Sequence, residues 1–258
     1  MIIGLLALAY IVFGSGNQTF LLNPNLKKNV DMYVTDKDRK NEIYLLIKQV
    51  EKKEIDFDKQ TKKVFDKKIV EINMNRASKI ADFTQEYEKF YDSLKALQNN
   101  YLDNELTIRS HIRPNEWDSI MKKVLVVPAN EKAKKKLFEE SQKMHDKLLS
   151  ACDKNIPDPA GKEKAKTYVD EYRDKGDTLA KAFLNLNYRY IKAVRPYQVA
   201  RKDFEPMRKE MISLRRNYTN SLVDMRFKLL AITPEKQWNS LAKALNENFV
   251  YMGAGLSK

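Results

Sequence analysis

Glycine is scarce in this chain. There are seven in 258 residues, and none lies between positions 17 and 160. Tight β-turns and phosphate-binding loops draw on glycine for positive φ and for close backbone approach. The scarcity argues against a β-sandwich or barrel, and against a Rossmann or P-loop enzyme. Cysteine occurs once, at Cys152, which excludes an intramolecular disulfide and a Cys-rich zinc site. Histidine occurs twice, at His111 and His145. Neither has HExxH spacing, and Gln142 stands where a Glu-x-x-His di-iron motif needs its acid. His111 lies between Arg109 and Arg113, which disfavours cation binding. Cys152 sits two helical turns from His145, so a passive, partly buried thiol fits better than a nucleophile. Carboxylates abound without a spacing that picks out an acid/base pair. The expectation is a non-enzymatic protein with no catalytic residue, no metal and no cofactor.

Charge, by contrast, is plentiful and one-sided. Lys and Arg total 48 against 35 Asp and Glu, for a net charge of +13. The basic residues are interleaved with acids along most of the chain and form no recognised nucleic-acid reader. Anionic lipid headgroups or an acidic protein surface fit the excess better than nucleic acid. Lysine also simply keeps a helical protein soluble.

Residues 1–13 are apolar apart from Gly4 and Tyr10, and the first charged side chain is Lys27. Thirteen helical residues span about 20 Å, and extension to Leu22 gives about 33 Å, enough for a bilayer core. Three readings stand: a retained membrane anchor, a cleaved signal peptide, or an apolar helix buried in a soluble core. No positive residue precedes the segment, which counts against efficient cleavage.

From Leu26 to Arg113 there is neither proline nor glycine, so long helices are expected there. Thr35 with Asp36 and Asp38 marks a helix start, followed by the stripe Ile43, Leu46, Ile47 and Val50. A break is placed near Ile55–Asp58, then a long helix over roughly 57–110. Its seam, Ile80, Phe83, Tyr87, Phe90, Leu94, Leu97 and Tyr101, steps by three and four, as a packed helix requires. Pro114 and Pro128 bracket a short helix, and residues 129–152 form another. Residues 153–161 read as a linker. Helix resumes at 162, with an interruption around Gly176, and runs to Arg195. Pro196 and Pro206 bound a turn region. A second seam follows from Phe204 through Met211 and Tyr218 to Leu229. Thr233 and Pro234 start the last helix.

The two seams are followed by similar text, IRPNEW and ITPEKQW. At an offset of 120 residues Leu94 matches Leu214 and Pro114 matches Pro234; one inserted residue then aligns Trp117 with Trp238. The expectation is an all-α protein built of elongated helical hairpins with an internal duplication: an anchor or signal segment over 1–22, a first repeat over 23–128 and a second over 129–258. Trp117 and Trp238, with Pro114 and Pro234, are the candidate structural or partner anchors. Both tryptophans lie in apolar stripes, which favours packing against a long helix over an exposed hot spot.

The ITPEKQW segment resembles the LTPEQ-type turn of the Spy/CpxP-like periplasmic helical proteins, whose motif is LTxxQ. Gln237 falls one residue late, and Arg113 replaces the threonine in the first copy. The resemblance implies an envelope protein that binds other proteins, sometimes as an ATP-independent chaperone. Beside it stand two further expectations: a scaffold subunit of a membrane complex facing the periplasm or another extracytoplasmic space, and a module that binds anionic lipid or nucleic acid.

Overall fold

The structure, a computed structural model, describes residues 26–57, 59–60, 63–123 and 131–251. The expected membrane-inserting segment, residues 1–22, lies outside them. Among the described residues there are nine helices and no strand, so the protein is all-α. They are α1 (Leu26–Tyr33), α2 (Lys37–Phe57), α3 (Lys63–Met74), α4 (Ile80–Ser110), α5 (Pro114–Lys123), α6 (Glu131–Asn155), α7 (Pro159–Val194), α8 (Arg201–Ile232) and α9 (Glu235–Tyr251). Among them, no helix is long and apolar enough to cross a membrane.

The helices fall into two sets of the same design. In the first, α1 packs on α2 and α5, while α2 and α3 pack along α4. In the second, α6 packs on α7 and α9, and α7 packs along α8. The sets meet where α9 packs on α3 and along the long helices α4 and α8. Tyr91 and Gln98 meet Thr219 and Met211, at 2.8 and 3.1 Å, so α4 and α8 run antiparallel. The predicted seams are what they bury: Phe83, Tyr87, Phe90, Leu94, Leu97 and Tyr101 on α4, and Phe204, Met207, Met211, Tyr218, Leu222, Met225 and Leu229 on α8. Ile80, placed in the first seam, is instead 59% exposed, and Leu214, within the second, is only half-buried.

Local chemistry matches between the sets. Asp36 accepts the Arg39 N–H at 3.0 Å, and Asp158 accepts the Gly161 N–H at 2.7 Å, each closing a helix start. Asp82 accepts the Lys79 N–H at 2.8 Å, and Asp203 accepts the Ala200 N–H at 2.7 Å. The first pair of acids is 122 residues apart and the second is 121 apart. Buried Ile43 and Ala165 keep the longer step, and buried Phe90 and Met211 the shorter one. Between them, residues 59–60 are π-helical. A π-turn accommodates one extra residue without breaking a helix. α2 and α3 together therefore stand where the second set has the single helix α7.

Several expected boundaries move. Residues 57–110 are not one helix: Asn75–Lys79 turn the chain between α3 and α4. That turn uses no glycine or proline; the Asn75 side chain accepts the Ala77 N–H at 3.0 Å and its carbonyl accepts the Ser78 N–H at 3.1 Å. Residues 153–155 complete α6, and only 156–158 separate it from α7, with Ile156 fully buried. Gly176 is buried inside an uninterrupted α7. Pro206 lies within α8, near its start, where its missing N–H frees only one carbonyl.

Candidate functional site: two tryptophan clasps

The tryptophans singled out from the sequence both become core residues. Trp117 is 3% exposed and Trp238 is 1% exposed. Pro114 is the first residue of α5, whereas Pro234 precedes α9 by one residue. The Trp117 N–H reaches the Arg113 carbonyl at 2.9 Å and the Trp238 N–H reaches that of Pro234 at 3.2 Å. Arg113, not Pro114, is therefore the counterpart of Pro234, and the helix starts need no inserted residue after the prolines. Proline serves at either place because both precede the first obligatory helical N–H.

Each indole covers a helix end in the opposite set. The Trp117 indole N–H donates to the Arg195 carbonyl, at the end of α7, at 3.0 Å. The Trp238 indole N–H donates to the Met74 carbonyl, at the end of α3, at 3.2 Å. The last carbonyls of a helix have no partner within it, so each tryptophan satisfies one while burying its ring. An arginine from the adjacent long helix completes each clasp. Arg109 lies 4.2 Å from the Trp117 ring centre and donates to the carbonyls of Val194 and Pro196 at 3.2 and 2.7 Å. Arg226 lies 4.9 Å from the Trp238 ring centre and donates to those of Asn73 and Asn75 at 3.3 and 2.9 Å. A further pair reaches the other way. Tyr197 donates to the Ile112 carbonyl at 2.9 Å, and Arg76 to that of Thr233 at 3.0 Å. Each of these four pairs of acceptor carbonyls is 121 residues apart.

The clasps differ in charge. Glu105 pairs with Arg109 at 3.0 Å and accepts from Tyr190 at 3.1 Å. Burial outweighs both partners and pushes its carboxyl up to about 7. The position of Glu105 in α4 corresponds to Arg226 in α8, which no carboxylate among the described residues faces. Arg226 is fully buried among Phe83, Phe227 and Trp238, and its Nε and Nη1 find no acceptor. Burial lowers its guanidinium to about 10, so it stays charged near neutrality. Neither arginine was legible as a site residue, because each looks like any other base on a charge-rich helix.

The remaining reactive side chains are tied into packing. Cys152 is 2% exposed, and burial pushes its thiol up to about 12. His111 faces Glu42 at 2.8 Å, not only the two arginines beside it in sequence. His145 is buried between α6 and α7, with Nε2 2.8 Å from Asp170. Among the described residues no group of three or more His, Cys, Asp or Glu is placed to hold a metal. An open groove beside the first clasp runs from Leu106 and Arg109 to Tyr197 and Asp203; the α8 start within it is already occupied by the Asp203 carboxylate.

No protein-family model matches the chain, and neither a curated protein nor a solved structure has significant similarity to it.

Proposed function

We propose that this protein is a non-enzymatic scaffold: a duplicated helical unit held at a membrane by residues 1–22, offering its body to partner proteins in a cell-envelope complex. The reciprocal clasp is the observation that carries the reading. Each set of helices closes the turn of the other, so neither set keeps its own helix ends satisfied alone. Such an arrangement favours a rigid body over a cleft that opens around a substrate. Arg109, Arg226 and the two tryptophans serve helix ends, and Glu105 holds Arg109. The apolar N-terminal segment and the basic surface support placement at a membrane.

The experiment is mass determination of the mature N-terminus, with crosslinking and identification of partners in the membrane fraction. A chain that retains residues 1–22, resists extraction by carbonate and crosslinks to defined envelope proteins fits the scaffold. A chain cleaved after the apolar segment, free in the periplasm and able to suppress aggregation of an unfolded client, is instead the chaperone that the LTPEQ-like turn suggests.

A further inference from the structure

The outer face of α2 and α3 carries a pattern that deepens the membrane placement proposed above. Inward, these helices bury Ile43, Ile47, Val50 and Phe57, then Phe65, Ile69 and Ile72. On the opposite face stand Lys48, Lys52, Lys59, Lys63 and Lys67, all exposed. No ion pair among the described residues engages them. Set among them are Leu45, Ile55 and Val64, which are 59%, 52% and 65% exposed. These are three of the five large hydrophobic side chains left exposed among the described residues, so they are concentrated here rather than scattered.

The matching helix of the second set is different. Lys48, Lys52 and Ile55 correspond, 122 residues on, to Asp170, Asp174 and Asp177 on α7. On α7 this row is partly covered, because Asp170 faces His145 of α6 at 2.8 Å and Asp177 is half-buried. In the first set the corresponding Lys48, Lys52 and Ile55 lie open to solvent.

We propose that this face is a membrane-contact surface that lies along an anionic bilayer. Lysine ammonium groups meet lipid phosphates and carboxylates while their alkyl stems stay along the surface. Leu45, Ile55 and Val64 enter the boundary between headgroups and acyl chains, as the apolar residues of an interfacial helix do. A nucleic acid groove would instead call for arginine and stacking aromatics, and the row has neither. The surface is formed by the described helices, so it does not require that residues 1–22 be retained.

The test uses the full chain labelled at I55C with an environment-sensitive fluorophore; the deeply buried Cys152 is left in place. It is mixed with vesicles of phosphatidylcholine alone, or of phosphatidylcholine with phosphatidylserine, each doped with a spin-labelled quenching lipid. The label should be quenched only on the phosphatidylserine vesicles, and high salt should reverse this. A label at D174C should remain unquenched on both. The variant Lys52→Glu, Lys59→Glu, Lys63→Glu should reduce partitioning at least about 100-fold with an unchanged helical spectrum and melting point, its three sites being exposed; the corresponding Gln variant should fall between. The proposal is overturned if the I55C label stays in water on anionic vesicles, if charge reversal leaves quenching intact, or if a single-stranded oligonucleotide shifts the label and vesicles do not. Carbonate extraction of the unlabelled chain reports separately on the anchor. A cleaved protein that still shows phosphatidylserine-dependent quenching would refute the anchor and keep the surface.

Discussion

The two clasps reach the same carbonyl pattern by different electrostatics. In the first, Arg109 shares its charge with Glu105. In the second, Arg226 is a buried cation held by carbonyl dipoles and three aromatic faces. Arg226 also projects from α8 one helical turn earlier than Arg109 does from α4, at the position that Glu105 holds. What the two share is therefore the target, the open end of a helix, rather than a fixed side-chain position. A helix end leaves carbonyls that must be satisfied, and a long guanidinium can reach them from more than one turn of its own helix.

The most damaging way to break the comparison is to remove the indoles. Trp238→Ala should cost about 3–5 kcal/mol and Trp117→Ala a similar amount, each losing a buried ring and a carbonyl donor. The clasps sit at opposite ends of the antiparallel α4–α8 pair, so the double variant should be additive to within about 0.5 kcal/mol. Denaturant unfolding measures all three. A Trp238→Ala protein that melts like the wild type but no longer binds its partner would make that tryptophan an interface residue.

The arginines should separate the clasps. Arg109→Met leaves Glu105 buried without its cation, and breaking such a pair costs about 3–5 kcal/mol at pH values above about 7, where the carboxyl is charged. Arg226→Met removes a desolvated charge and leaves no orphaned acid, and the Asn75 carbonyl keeps the Ser78 N–H at 3.1 Å. Its cost should be no more than about 1–2 kcal/mol. Equal losses at the two positions would mean that the cation–carbonyl contacts, and not the acid, dominate both clasps.

Much of this was legible in the sequence, but unevenly. Apolar residues in steps of three and four identified α4 and α8, because a buried helical face must recur at that period. Trp117 and Trp238 stood out because tryptophan is rare and both follow a proline. The turn at Asn75–Lys79 was not legible: it is closed by side-chain acceptors and by Arg226 from α8, and no glycine or proline marks it. The stretch 153–161 looked like a linker because it holds two prolines and a glycine, yet Ile156 anchors it in the core and Pro159 simply begins α7. The 121-residue register was hidden by the prolines, which match in type but not in helical position. The clasps themselves depend on contacts across more than 70 residues of chain, beyond the reach of any local pattern.

A smaller effect distinguishes the clasps by pH. Burial raises the Glu105 carboxyl from 4.5 to about 7. The folded protein then holds that proton more tightly than the unfolded chain, so its stabilising contribution is complete below 4.5 and is lost as pH rises through about 7. Asp177, raised to about 6 by burial, acts in the same direction. Glu116 acts in the opposite one: its hydrogen bonds with Arg39 hold its carboxyl low, so its contribution is lost as pH falls. The informative quantity is the wild type minus Glu105→Gln. That difference should slope downward by no more than about 1.4 kcal/mol per pH unit and be flat outside the window. Denaturant titrations across pH 4–8 measure it, and Glu105→Gln showing the unaltered wild-type slope would assign the dependence to Asp177.

The mildest change tests the helix starts that set the register. Asp158 accepts the Gly161 N–H at 2.7 Å, and Pro159 occupies the first helical position of α7. Proline fixes φ there but supplies no acceptor, so the carboxylate alone closes this end from the side-chain side. Asp158→Ala should cost about 1 kcal/mol, and Asp158→Asn, which keeps an acceptor oxygen, only a few tenths. The same order should hold at Asp36, which accepts the Arg39 N–H in the first set. Arg39 there also pairs with Glu116 and donates to the His111 carbonyl, contacts that Gly161 cannot make. Removing the cap from the first set should therefore displace the helix start less, because Arg39 still fastens it to α5. Amide exchange at the first turn of α2 and of α7 reads this directly: faster exchange in α7 than in α2 on loss of the respective aspartate supports the difference, and equal exchange assigns both starts to the cap alone.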